Sequence, residues 1–463
     1  MKYFEKRIKT YPQSVKGRYR SIKNILSPIF LIIYLGAPFL RWHRGSNISN
    51  QAILIDLPHH RGFFFMIEIW PQEIYYLVGI LIFAAVALFF ITSLFGRVWC
   101  GYSCPQTVWT DLFIKIEKFF QGDRNERILL DRKSFSLEKL ARKTATHLAW
   151  IIIGLITGFG FTAYFNDIFL LTHQIINLNP SPTVLGWIIG IAGATYIMAG
   201  FAREQVCNYM CPYARFQSAM FDRDTLIISY NKKRGEPRQK YKKDEDMSAR
   251  GHCIDCKQCV VVCPANIDIR NGLQMECIAC GLCIDACNSV MAKIGLPPGL
   301  IRYDTERNLE NNNSVSAFKI LRPRSFYYAG ILILVGGIIL SSLILRPKSA
   351  LAVIPDRNPL FVLLSNGDIR NGYVIRIANK TYQNKKYHLQ ILGIDDLAIK
   401  IDGLEDSANL PVAADDINSF KIYVIANQEK LNNSINGRNK ISFEITDDQA
   451  LEKIKYDTVF ISN

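Results

Sequence analysis

Five long apolar runs divide the first three-quarters of the chain, and short alternating runs fill the remainder. The apolar runs are Ile25–Leu40, Ile74–Phe95, Leu148–Phe165, Val184–Phe201 and Tyr327–Leu345. Each spans about 16–22 residues, and at ~1.5 Å rise per residue such a helix matches a hydrocarbon layer of about 30 Å. The second contains no charge at all, whereas the first is short and carries Pro28 and Pro38. The basic stretch before the first run has the start of a signal peptide. No small-x-small cleavage pattern follows it, so the run reads as a retained membrane helix. Gly154, Gly158, Gly160 and the Gly336-Gly337 pair suit close helix contacts.

From Ala350 onward the period changes from helical to twofold. Tyr373–Ile377, Tyr387–Ile391, Phe420–Val424, Ile441–Ile445 and Thr458–Ile461 alternate apolar and polar residues between Asn, Asp and Gly turns. Such a pattern predicts an all-β sandwich of roughly seven strands. No catalytic constellation is visible in it, so its expected role is binding or scaffolding.

Charge then orients the spans. Lysine and arginine collect in the N-terminus, the 96–147 loop and the 202–326 region, while the 166–183 loop has none. Positive loops stay inside. This places the N-terminus and residues 202–326 in the cytoplasm and the C-terminal sandwich outside. The net charge of +15 is therefore explained by the membrane and gives no reason to expect nucleic acid. With 49% hydrophobic and 21% charged residues, the composition suits a membrane protein carrying polar domains.

All 12 cysteines lie between Cys100 and Cys287. Cys253, Cys256, Cys259 and Cys263-Pro264 form one C-x₂-C-x₂-C-x₃-C run, and Cys277, Cys280, Cys283 and Cys287 form another. This is the spacing that wraps cubane clusters in bacterial ferredoxins, where the fourth cysteine of each run ligates the other cluster. It assigns Cys253, Cys256, Cys259 and Cys287 to one [4Fe–4S] cluster and Cys277, Cys280, Cys283 and Cys263 to a second. Zinc sites use two separated pairs and fit less well. The second run ends Cys287-Asn288 in place of Cys-Pro.

The remaining four cysteines form two matching motifs. Arg97-Val-Trp-Cys100-Gly-Tyr-Ser-Cys104-Pro105 follows the second run, and Arg203-Glu-Gln-Val-Cys207-Asn-Tyr-Met-Cys211-Pro212 follows the fourth. On a helix, cysteines four apart share a face, so each C-x₃-C-P motif presents two sulfurs, with proline ending the turn. If the two spans are neighbours, four thiolates converge at the membrane surface, and soft thiolates favour Cu(I), zinc or iron–sulfur chemistry. The alternative is four small buried residues that help helices pack. His59-His60 in the outer loop reads as structural. No G-x-G-x-x-G follows a strand, so no dinucleotide fold is expected.

These motifs together resemble the FixG/RdxA/CcoG-type cytochrome c oxidase accessory proteins over nearly the whole chain. The residues that carry the resemblance are Trp99 to Trp109, Cys207 to Gln217, the two-cluster run and the β-rich tail. The resemblance implies a multi-pass inner-membrane iron–sulfur protein that assists assembly of the cbb3-type cytochrome oxidase by reducing Cu(II) to Cu(I). Copper would be its substrate or transient ligand, with Cys100, Cys104, Cys207 and Cys211 as the copper-handling thiols. It also implies an immunoglobulin-like fold for the sandwich, and oxidase-assembly and copper-delivery proteins as partners. The electron donor and any homo-oligomer stay open. Two rival functions share these motifs: a membrane ferredoxin relaying quinol electrons to a periplasmic reductase, and a non-catalytic copper chaperone or scaffold. The expected organisation is a basic N-terminus (1–24), four spans with both C-x₃-C-P motifs (25–201), a cytoplasmic ferredoxin-like domain (202–326), a fifth span (327–345) and a periplasmic sandwich (346–463).

Overall fold

The structure, a computed structural model, describes residues 9–44, 49–240, 250–310, 319–394, 397–403, 409–427, 437–447 and 453–462. The chain divides into two compact units, one running to Leu340 and the other beginning at Ser341.

In the first unit, five helices are long and apolar enough to cross a membrane: Arg18–Phe39, Pro71–Phe95, Leu137–Thr162, Pro182–Ala202 and Pro323–Ile344. Their outer faces are bare hydrocarbon, as at Ile32 (69% exposed) and Ile333 (76%), which water would penalise and lipid would not. The small residues act as expected. A methyl group on Gly158 would meet the Ile188 carbonyl, and one on Gly154 would meet that of Ala192, so the third and fourth spans touch backbone to backbone. The fifth span approaches the second, with Gly336 beside Phe83 and Gly79 beside Ile339.

The expected span limits need correction at several ends. The first helix begins at Arg18, not Ile25, and the third begins at Leu137, not Leu148. In the third, Ser136 caps the start by accepting the Lys139 N–H at 3.3 Å. The polar turns at Glu138, Lys139, Arg142 and Lys143 then continue the same helix. An apolar run marks only the part of a helix that lipid covers, not where its hydrogen bonds begin.

Two connecting loops hold structure that period alone did not reveal. Residues 41–73 contain an antiparallel sheet of β1 (Ile53–Asp56), β2 (Arg61–Phe64) and β3 (Ile67–Ile69). Its floor is the buried Trp70, with the Arg61 guanidinium 4.1 Å from the ring centroid. Residues 166–183 contain a helix, Ile168–Ile176, whose cap Asp167 also takes a bidentate pair from Arg41 at 2.6 and 3.0 Å. His59 and His60 sit at the β1–β2 turn, with His59 Nδ1 2.8 Å from Asp56, a structural role.

The cluster region is bracketed by the antiparallel pair β4 (Ile227–Tyr230) and β5 (Ile301–Asp304). It is stitched to the start of the first span. Asp285 accepts the N–H groups of Tyr19 (3.2 Å) and Arg20 (2.8 Å), satisfying donors that a helix start leaves open.

In the second unit, β6 (Ser349–Pro355), β7 (Val362–Leu363), β8 (Ile369–Asn379), β10 (Ala398–Ile401) and β12 (Asp416–Ala426) form one sheet. The other sheet contains β9 (Lys385–Leu392), β11 (Asn409–Val412), β13 (Arg438–Asp447) and β14 (Lys453–Ile461). Among the described residues, nine strands thus replace the roughly seven expected, because β7, β10 and β11 are too short to alternate legibly. Ile375, Ile377, Ile422 and Val424 from one sheet meet Tyr387, Phe443 and Phe460 from the other in a fully buried core. Tyr373 and Tyr387 hydrogen-bond across the layers to Val459 O (2.9 Å) and Ser349 (2.8 Å).

Candidate functional site

The two ferredoxin-type runs fold as near copies. In the first, Asp255 and Lys257 flank Cys256 with φ of 49° and 54°; in the second, Ala279 and Gly281 flank Cys280 with φ of 52° and 74°. Alternating left-handed residues turn successive backbone N–H groups to one side, the concave geometry that cradles anionic clusters. Gly281 has a second reason to be glycine, since a Cβ there would meet the Tyr19 ring at 2.6 Å.

Each run encloses a cavity, and the cysteines sort between the two as the spacing requires. One cavity is lined by Cys253, Cys256, Cys259 and Cys287, and the other by Cys263, Cys277, Cys280 and Cys283 with Cys259 between them. Both are small, about 20 Å³, and otherwise walled mainly by Ile, Leu and Met. Burial pushes the Cys287 thiol up to about 12, with Cys259, Cys256 and Cys253 adding to it. Burial likewise raises Cys263 to about 12, and there the contributing thiols are Cys280 and Cys277. The fourth cysteine of each run therefore faces the other run. Among the described residues, no three His, Cys, Asp or Glu side chains are close enough to hold a single metal ion. Such a spread suits a cubane, whose own iron–sulfide core separates the ligating sulfurs. The residues present fit two [4Fe–4S] groups. Asn288 is explained too: Cys287 lies inside the helix Leu282–Lys293, where proline would break the ladder, and Asn288 Oδ1 accepts the Gly299 N–H at 2.9 Å.

The C-x₃-C-P motifs correct the expectation of one continuous helical face. Cys100 lies in a short helix, Val98–Tyr102, but Cys104 is extended (φ −61°, ψ 129°) and Pro105 opens the next helix, Pro105–Gln121. Cys207 lies in a π-helical turn, Val206–Met210, and Cys211 is extended (φ −79°, ψ 112°) before the helix Pro212–Met220. A residue preceding proline is driven out of the helical region, while proline itself is well placed in a first turn. Proline starts the next helix here, not just ending the last. In the second motif the backbone bonds widen, with Arg203 N to Met198 O at 2.7 Å and Cys211 N to Val206 O at 2.8 Å. Gln106 donates to Met198 O (2.9 Å), as a second donor to that carbonyl, and to Arg203 O (3.2 Å), so joining the two motifs.

The four thiols share one neighbourhood. Burial raises Cys100 to about 12, with Cys104 next in effect. It raises Cys207 to about 11, with Cys104 and Cys211 adding to it. Metal uptake by these thiols must displace protons, so it strengthens as pH rises. Gln217, fully buried, donates its Nε2 to Cys100 Sγ at 3.3 Å, while its Oε1 has no partner among the described residues.

This thiol nest backs directly onto the second cluster loop. A Cβ on Gly101 would lie 2.8 Å from Ile278 O and 2.9 Å from Ala279 O. Tyr102 donates to Cys280 O at 3.0 Å, and Tyr303 donates to Ala279 O. The buried Arg97 guanidinium donates to Met275 O, to Cys277 O at 3.3 Å and to Ala214 O at 2.9 Å. It thereby ties the first motif, the cluster loop and the helix after the second motif together. The matching Arg203 does different work, binding Glu117 at 2.7 Å, and Glu117 also binds Arg127 at 2.9 Å. The sequence repeat pointed to both arginines but not to this division. Glu117, Tyr303 and Asp285 escaped sequence reasoning, and Gln217 entered it just as the end of the Cys207–Gln217 stretch. Only Glu117 left a trace, as an acid in the strongly patterned helix Pro105–Gln121.

Comparison with known proteins agrees with this geometry. Residues 202–306 match the 4Fe-4S dicluster domain, residues 77–125 a 4Fe-4S binding domain, and residues 339–463 the IG-like fold at the C-terminal of FixG. The nitrogen fixation protein FixG of Rhizobium meliloti is 39% identical over 455 residues, covering 91% of this chain and 87% of the relative. The chain belongs to the FixG family. Protein RdxB of Cereibacter sphaeroides is 42% identical over 99% of this chain and 97% of its own, and RdxA of the same organism 42% over 90% and 89%. As a FixG-family member, the protein is a membrane iron–sulfur electron-transfer protein with an immunoglobulin-like C-terminal domain.

Proposed function

We propose that this FixG-family protein reduces Cu(II) to Cu(I) for assembly of a cbb3-type cytochrome oxidase. The observation that carries the reading is the packing of the first C-x₃-C turn, through Gly101 and Tyr102, against the Cys277–Cys280 loop. Bound [4Fe–4S] clusters supply single electrons over roughly −700 to +450 mV. Cys256 is the exposed cysteine of the first set, and the second set includes Cys280, whose carbonyl takes the Tyr102 hydroxyl of the first C-x₃-C turn. Electrons therefore enter at the exposed set from a donor of unknown identity and leave toward Cys100, Cys104, Cys207 and Cys211.

What the thiols add is selectivity. Cu(II) prefers tetragonal nitrogen and oxygen sites, whereas soft thiolates prefer Cu(I). A site of sulfur therefore stabilises the product more than the reactant, which favours the reduction. Arg97, Tyr102 and Gln106 hold the thiol turns in register with the cluster loop and with each other. The eight cysteines at 253–263 and 277–287 are proposed as the cluster ligands in the crossed arrangement. The proposed setting is the bacterial inner membrane, with the N-terminus and clusters in the cytoplasm and the sandwich in the periplasm, near oxidase-assembly and copper-delivery proteins.

A second reading has an observation of its own. The 4Fe-4S binding domain match spans Cys100 and Cys104, which favours iron at the membrane thiols. Cupric reduction separates the readings. Anaerobically purified protein given dithionite and Cu(II) is expected to produce Cu(I) catalytically, well above cluster-free protein. A quinol relay or a passive scaffold would leave the rate at that background.

A further inference from the structure

A cavity of about 510 Å³ lies beside the thiol nest, between the start of the first span, the helix Pro105–Gln121 and the second cluster loop. Cys207 and Asn208 form part of one wall, while Val262, Pro264, Ile278 and Leu282 form another. Its size falls within the roughly 300–1,000 Å³ of small-molecule sites and far exceeds a bare metal ion. Seven Lys and Arg residues line it against four Asp and Glu. Three of these cations share a single carboxylate. Asp111 receives Arg20 at 2.8 Å, Lys23 at 3.5 Å and Lys115 at 3.5 Å, leaving the knot with surplus positive charge. Burial depresses Lys115, Asp111 opposes that shift, and Arg20 and Lys23 add to it, as crowded like charges should.

We propose that this cavity receives copper as a complex of net negative charge, a small organic chelate held by the Arg20–Lys23–Lys115 knot. The inference rests on the copper reading of the thiols. A bare cation would be repelled by this lining, whereas an anionic chelate is attracted by it and brings its metal to the wall that carries Cys207. Carboxylate chelators of copper have the required charge and size. The surplus cations bind the chelate's carboxylates, and the apolar wall accommodates its carbon framework.

Equilibrium dialysis of the full chain in detergent, with both clusters loaded, tests this. The probe is Cu(II)–nitrilotriacetate, a monoanion, with copper and isotopically labelled chelator measured separately. Cu(II)–cyclam, a dication, is the control. The expected result is retention of copper and chelator in equal amounts, with little retention of the dication. Lys115→Gln combined with Lys118→Gln, at half-exposed and exposed cavity positions, is expected to weaken binding about tenfold, equivalent to ~1.4 kcal/mol. Lys115→Arg keeps the charge and is expected to retain binding. Copper held without its chelator, equal retention of the dication or of metal-free chelator, or no response to the lysine changes would each overturn the proposal. Displacement of the chelate by an anionic phospholipid added to the micelles would overturn it too, by making the cavity a headgroup site. If the chelate binds as expected but Cu(I) forms with dithionite no faster than over cluster-free protein, the site stands and the reductase reading fails.

Discussion

At the scale of residues, a few buried polar side chains decide how the site is held. Arg97 is the keystone, because one guanidinium satisfies carbonyls that lie 117 and 180 positions further along the chain. Glu117 is its counterpart on the other side of the thiols, a carboxylate between Arg127 and Arg203, with Arg127 also donating to Pro12 O. All three are at most 7% exposed. Glu117→Gln would leave two buried guanidiniums without a countercharge, and breaking such an arrangement costs about 3–5 kcal/mol. Thermal unfolding in detergent is expected to shift downward accordingly, and an unchanged midpoint would mean that water reaches the triad. None of this was visible beforehand. Gln217 lies 117 positions from the cysteine it touches, and no local pattern marks a contact of that kind.

At the scale of elements, legibility followed the range of the interaction. The cluster loops were readable because their ligands are fixed by spacing within a dozen residues, and the twin cavities sort the cysteines as that spacing demands. The C-x₃-C-P turns were readable as motifs but not as shapes. Proline after the second cysteine does more than stop a turn: the local sterics make Cys104 and Cys211 extended and Pro105 and Pro212 helix starters. The sheet in residues 41–73 was missed because β1 and β2 are four residues each and half-buried, too short for alternation to register. The cluster elements make a separable prediction. Cys256→Ser and Cys280→Ser should each remove about half of the ~8 irons per chain, since each disables one cluster. Zinc in place of iron in anaerobically purified wild-type protein would contradict the assignment.

At the scale of the whole molecule, five apolar helices among the described residues and the distribution of lysine and arginine predict an orientation. Reporter fusions at Asn463 and at Lys242 should report opposite compartments, and matching signals would mean a miscounted span. The central claim is narrower: the thiols of the two C-x₃-C-P turns, the first of which packs on the second cluster loop, are proposed to handle copper. Replacing Cys100 and Cys104 together with serine tests it most directly, with copper, iron and cupric reduction measured on one purified sample. Serine oxygen is a hard, poor ligand for Cu(I). The account predicts that bound copper and reduction rate fall together while iron stays at the wild-type level. A fall in iron would assign the membrane thiols to an iron–sulfur centre, and normal copper with a normal rate would contradict the copper site outright.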